Sequence, residues 1–377
     1  MQVTENVRGR SATNAVGVFE VEPTGHRLQY VRHLHDATPG GCVVLVPGEA
    51  TRAPEFAVHL GPAATAVVPV EGDDRGRLLA GAVAEAMRRG LQRLVIPDAD
   101  HFVLPLLRLL LAGRLTGRAC PIEFRLLLMR TSTPGGSEPF TPAMIVKPAA
   151  VSLIRRFRQV RVAFLTDAWG VVTVRRGFGG VRGVRDPVRQ ASDVPSGRPL
   201  WLPPPDAGRV VVGLLGVIEH RKNLPLLIRA ARADDRLVVV VGGRLSPEVA
   251  AQLAADDDAA VLREEGRLIV ADRLLPPAEF AAVIRSVDVV VVLHDNDAPS
   301  GILAEACLRH TPVVVPAGAW LAAVVRETGI GRATALDPVS VGAAIHAAHC
   351  ARTDHVEAAR RASAVLGTTD FTGCMLR

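Results

Sequence analysis

The chain has 377 residues, a net charge of +6, 49% hydrophobic residues and only 4% aromatics. At roughly 100–200 residues per domain this length accommodates two domains, with cores built from Val, Leu, Ile and Ala. The basic balance is almost wholly arginine, with Lys147 and Lys222 the only lysines, and no arginine-rich run alternates with aromatics as a single-strand binder requires, so composition excludes nucleic acid as the expected partner.

Residues 1–14 are polar and aperiodic and read as a disordered lead. The opening MQVTENVRGR lacks the apolar core of a secretory signal. Strand-like runs follow at 16–21, 42–47, 65–70, 93–98, 123–129 and 160–167, with helical periods at 27–36, 78–90 and 102–113. Short continuous apolar runs separated by helical periods indicate βαβ units and a parallel sheet covered on both faces. A Pro-, Gly-, Ser- and Asp-rich stretch from 186 to 208 reads as a domain linker. Beyond it the alternation restarts: strands at 209–216, 236–243, 267–272, 288–295 and 312–316, helices at 224–233, 246–257, 277–287, 301–310, 319–327 and 338–350. The expected architecture is α/β, with two doubly wound Rossmann-like domains at 15–200 and 201–350 facing each other across a cleft. A tail at 351–377 is read as a helix that returns to the N-terminal domain.

The five cysteines, Cys42, Cys120, Cys307, Cys350 and Cys374, are odd in number and have no C-x-x-C spacing, which argues against a disulfide framework and a zinc site. No run of 18 apolar residues occurs. A cytoplasmic location is expected. The arginine-bearing stretches near 106–118 and 152–161 read as solvated faces rather than membrane contacts.

The chemistry concentrates in DVVVVLHDNDAPSGILAEACLRHTPVVVP, residues 288–316. A buried strand runs into a short acidic loop, and a helix starts at Ser300 and Gly301. Unpaired amides of a first helical turn, with the helix dipole, attract an anion. Glu305, four residues after Gly301, lies on the same helix face about 6 Å along, where a carboxylate suits a ribose diol. In the block LLGVIEHRKNLPLLIRAA (214–231), Lys222 follows Gly216 by six residues at a strand–loop–helix turn, with Asn223 as the expected N-cap.

These two blocks resemble those of the retaining family 4 glycosyltransferases of the GT-B type. Asp297 and Glu305 have the spacing of that family's E-x7-E pair, and SGILAEACLRHTPVV is similar to its "SG…EA…PVV" block. The resemblance implies a nucleotide-diphospho-sugar donor, with UDP favoured, and transfer of a hexosyl unit to a hydroxyl acceptor with retention. It also implies that the N-terminal domain binds the acceptor and that no metal or other cofactor is needed; no D-x-D motif stands where a metal would be. It assigns Glu305 to the ribose, Asp297 to a sugar hydroxyl, Ser300, Gly301 and Ile302 to the diphosphate and sugar through their amides, and Lys222 to the diphosphate. Three departures stand out: Asp297 is shorter than the family's Glu, Val217 stands where Arg is frequent, and His310 replaces the usual helix-ending glycine. Arg221 is the candidate surrogate for the cation that is missing at Val217. Gly243 reads either as part of the donor turn or as a tight turn alone. In the N-terminal half, Gly25 and His26 resemble the family's glycine loop facing the donor, and Asp100 or His101 its residue near the transferred sugar. A non-catalytic GT-B binding subunit and a nucleotide-sugar epimerase stay open as alternatives. The absence of a G-x-G-x-x-G between strand and helix disfavours a dinucleotide oxidoreductase.

Overall fold

The computed structural model describes residues 16–22, 27–61, 66–115, 120–129, 143–171, 180–188, 197–204, 206, 208–294 and 300–377. The first half runs β1 (Val16–Phe19), α1 (Arg27–Ala37), β2 (Val43–Pro47), α2 (Pro54–Leu60), β3 (Val67–Val70), α3 (Arg75–Arg88), β4 (Arg93–Ile96), α4 (Val103–Leu111), β5 (Glu123–Leu128), α5 (Ala143–Ile154), β6 (Val160–Thr166) and β7 (Arg182–Arg185). The second runs β8 (Val210–Leu215), α6 (Leu224–Ala233), β9 (Leu237–Gly242), α7 (Pro247–Ala254), α8 (Asp257–Glu264), β10 (Leu268–Ala271), α9 (Pro277–Ser286), β11 (Val289–Val291), α10 (Gly301–Leu308), β12 (Val313–Pro316), α11 (Ala319–Thr328), β13 (Gly331–Thr334), α12 (Pro338–Cys350), α13 (Arg352–Ser363) and α14 (Thr369–Leu376).

Among the described residues the strands form two sheets, ordered β3-β2-β1-β4-β5-β6-β7 and β10-β9-β8-β11-β12-β13, and every pairing is parallel. β8 and β9 are buried along their whole lengths, which is why VVVGLL and LVVVVG are uninterrupted apolar runs: helices cover both faces. In the first half, α3, α4 and α5 contribute to one core and α1, α2 and α14 to the other. In the second, α6, α7, α8 and α12 cover one face while α9, α10, α11 and α13 cover the other.

In each sheet the chain winds outward from a central strand, then crosses back to its other side. The connections leaving β1 and β4, and those leaving β8 and β11, therefore diverge and open a crevice at the strand carboxyl ends, where such folds take their ligands.

Several elements differ from the sequence reading. The helix expected at 246–257 is α7, which ends at Ala254, and a further helix, α8, follows it, started where the Asp256 carboxylate accepts from the Ala259 amide at 2.9 Å. Strand β7 and helix α5 escaped notice. RGVR has a single buried residue, and α5 carries Pro148 inside it. The stretch read as a linker lends Val188 and Leu202 to the core of the second half. The terminal helix α14 packs on the first half: Phe371 and Met375 are buried there, the Phe371 ring lies 5.3 Å from Tyr30, and Asp370 accepts from the Arg185 amide at 3.0 Å. Among the described residues, no helix is long and apolar enough to cross a membrane.

Candidate active site

Two loops meet at the β8/β11 crevice. The first leaves β8 through Gly216, whose φ of 90° suits glycine, and passes a 3-10 turn at His220–Lys222 before α6. Gly216 is pinned from behind. Its amide donates to the Gly242 carbonyl at 2.9 Å, and a Cβ on Gly243 would stand 2.1 Å from the Gly216 oxygen. Gly243 thus serves the close approach of two strand ends. A Cβ on Gly216 would meet Lys222 Nζ at 3.0 Å and Ile302 Cδ1 at 3.4 Å, which puts Lys222 and the first turn of α10 on the same glycine.

Lys222 is 3% exposed, donates to the Leu215 carbonyl and has no ion pair among the described residues. Burial is the main cause that pushes its ammonium down to about 7; neighbouring Arg221 adds to the shift and Glu219 opposes it. Arg221 is held by Glu219 at 2.8 Å. Asn223 takes a left-handed conformation, and its side chain does not cap α6 as expected. Its Nδ2 donates to the Leu293 carbonyl at 2.7 Å instead, tying the two loops together.

The second loop enters α10. Ser300 occupies the N-cap without a side-chain capping bond, and a Cβ on Gly301 would meet no atom of the described residues within 4 Å. A helix start beside a buried lysine has the charge and the free amides that suit an anion. One turn on, Glu305 is paired with Arg309 at 2.6 Å. Burial pushes the Glu305 carboxyl up and Arg309 opposes that, so the arginine both orients the carboxylate and favours its charged form.

The first half contributes acids. A small cleft lies between Asp167 and Asp186, at the ends of β6 and β7, and Ser300, Leu303 and Trp320 of the second half. Asp186 accepts from the Tyr30 hydroxyl at 2.6 Å. Burial, with Asp167 and Glu305 nearby, raises its carboxyl to about 7 despite that bond. At the β1/β4 crevice, Glu20 and Asp98 are both buried, and Arg27 pairs with Asp98 at 2.7 Å. Burial chiefly, with Asp98 adding, raises Glu20 to about 8. Across the halves, Arg244 of the second pairs with Glu55 of the first at 2.7 Å.

These raised carboxyls predict a pH dependence of stability. A carboxyl whose folded-state value lies above its unfolded one holds its proton more firmly when folded, so stability falls as pH rises through that interval. For Glu20 the interval is 4.5 to about 8, and for Asp186 it is 3.8 to about 7. Lys222, lowered from 10.5 to about 7, acts in the opposite sense above neutrality, so the comparison is between variants. Relative to the parent, Glu20→Gln and Asp186→Asn should each gain roughly 2–5 kcal/mol between pH 5 and pH 9 in urea unfolding.

Of the residues expected from sequence to form the site, Lys222, Arg221, Gly243, Ser300, Gly301, Ile302 and Glu305 lie on the loops and helix of the β8/β11 crevice. Asp297, Gly25 and His26 lie outside the described residues. Asp100 and His101 follow β4 in the other half. Asp100 is engaged by Lys147 of α5 and by the Met129 amide at 3.0 Å, and His101 is exposed. His294, Glu20, Asp98 and Asp186 were missed. Each follows a strand by one to three residues, and position beyond a strand's carboxyl end was the available signal.

No protein-family model matches the chain, and no curated protein matches it in sequence. Solved structures do match in shape. HepE from Anabaena, in complex with UDP and glucose, gives a TM-score of 0.67 at 14% identity, covering 95% of this chain and 97% of that one. A glycosyltransferase from Rickettsia africae gives 0.66 at 9% identity, with 97% of each chain covered. Sucrose-phosphate synthase from Thermosynechococcus elongatus gives 0.60 at 14% identity, covering 96% and 97%. The fold is GT-B. In GT-B terms the two parallel sheets are the paired Rossmann-like units, and the Arg244–Glu55 pair and the cleft between Asp186 and Ser300 lie where the two halves meet.

Proposed function

We propose that this chain is a glycosyltransferase that moves a hexosyl unit from a UDP-sugar to a hydroxyl acceptor with retention of configuration. The observation that carries the reading is the buried Lys222, without an ion pair among the described residues, placed at Gly216 together with the start of α10. A buried ammonium is costly without a counter-charge, and a diphosphate seated there supplies one. The donor's ribose then falls beside Glu305, and its sugar beside the loop that contains Asp297. As the glycosidic bond breaks, charge accumulates on the leaving diphosphate. Lys222 and the amides of Gly301 and Ile302 stabilise it without rearranging. The acids at the ends of β1, β4, β6 and β7 suit an acceptor rich in hydrogen-bond donors. The shape match to HepE, which was solved with UDP and glucose, supports UDP as the first nucleotide to test.

The test is a thermal-shift series with UDP-glucose, UDP-galactose, GDP-mannose and ADP-glucose. A cognate donor at a hundred times its Kd adds about 2.7 kcal/mol, which for domains of this size is a rise of about 5–10 °C. Glu305→Gln should keep the unliganded melting temperature within about 2 °C and lose most of that rise. A Glu305→Gln protein stabilised as strongly as the parent would remove the ribose assignment.

A further inference from the structure

We propose that His294 is a ligand of the donor diphosphate, a hydrogen-bond donor from the β11 side of the crevice that completes the set formed by Lys222 and the start of α10. The inference rests on the donor site proposed above and concerns a residue that none of its motif assignments includes. His294 follows Leu293 directly, so it stands where β11 gives way to the loop that enters α10. It is 5% exposed, and neither ring nitrogen has a hydrogen-bond partner among the described residues. Native interiors rarely leave such a group unsatisfied, and the exceptions point to a ligand or to strain. Its surroundings point to an anion. Arg221 and Lys222 both act on the ring from the facing loop, and together with burial they push its value down to about 3, so the unliganded ring is neutral.

A neutral imidazole carries one N–H and one lone pair. Beside these two cations the N–H has no acceptor among the described residues, whereas a phosphate oxygen in that space accepts it and offsets both cations at once. The turn after Gly216 presents apolar Val217, and Arg221 is occupied by Glu219. The strand-end histidine is therefore a described side chain suited to a third phosphate contact. The charged groups facing the pair from the other loop are Arg221 and Glu219, and their balance is cationic once Lys222 is protonated.

The experiment is calorimetric titration of the full chain with UDP, UMP and uridine, for the parent, His294→Phe, His294→Asn and Lys222→Met. His294→Phe replaces an unsatisfied polar ring with an apolar one, so its unliganded melting temperature should equal or exceed the parent's, which separates a binding defect from misfolding. His294→Asn keeps a polar donor in the same place. The expected result is that His294→Phe weakens UDP at least tenfold and leaves uridine unchanged, with His294→Asn in between. If UDP binds His294→Phe as it binds the parent while Lys222→Met is impaired, the inference fails and the donor site stands. If the parent binds no UDP, or binds it independently of Lys222, the donor site fails and takes the inference with it.

Discussion

Replacing Lys222 with methionine is expected to lower sugar transfer from the cognate donor by about 100- to 1,000-fold, the usual cost of removing one preorganised charge from a developing oxyanion. The fold should not suffer. Lys222 is buried with a single hydrogen bond, to the Leu215 carbonyl, and a methionine of similar length fills the same channel without a charge to desolvate. A second signature separates this from a general loss of structure. The group gives up its proton near pH 7 in the unliganded protein, and kcat/KM reports the free enzyme's ionisations. The parent's kcat/KM for donor should therefore fall as pH rises through about 7, toward tenfold per unit, while the residual activity of Lys222→Met should lack that limb. Steady-state rates with saturating acceptor between pH 5.5 and 9 decide it. A parent profile that is flat through this range would mean that the buried ammonium does not hold the donor.

The second large effect is structural. Gly243→Ala is expected to destabilise the second half by about 3–5 kcal/mol, seen as a melting temperature lower by about 6–15 °C. Two costs combine. The residue has a φ of 135°, a region closed to side-chain-bearing residues, and its new methyl would meet the Gly216 carbonyl oxygen at 2.1 Å. Relief requires β8 and β9 to part at their carboxyl ends, which breaks the 2.9 Å bond from the Gly216 amide to Gly242. The Gly216 turn would then shift, and Lys222 with it. The fraction that still folds should bind UDP weakly for that reason. An alanine variant with an unchanged melting curve would show that the strand ends are not in this close contact.

The centre of the second half was legible because local chemistry and global packing agree there. Uninterrupted Val runs such as 210–215 and 237–242 can only be strands covered on both sides, and α6 and α10 follow with helical periods, so strand, loop and helix could be assigned without tertiary information. Residues that lie near one another in the chain, Gly301 with Glu305 and Gly216 with Lys222, are brought together by helix pitch and turn geometry. The edges of the sheets were less legible. β7 offers RGVR with one buried residue, and α5 interrupts its period with a proline, so neither carries a pattern that stands out from a loop.

What the linear chain determined by itself is the alternation of buried strands and amphipathic helices and, within it, the helix start at Ser300–Gly301 and the lysine-bearing turn after Gly216, because each depends on contacts only a few residues apart. Tertiary structure alone decided which distant charges share one crevice: His294 with Arg221 and Lys222, Glu20 with Asp98, and Asp186 with Glu305. These pairs depend on strand order and on how the halves face each other, and no local period encodes either. It also decided that Asp100 serves Lys147 and Met129 of its own half. A side chain's electrostatic role follows from what burial and topology place around it, and that environment exists only once the sheets have formed.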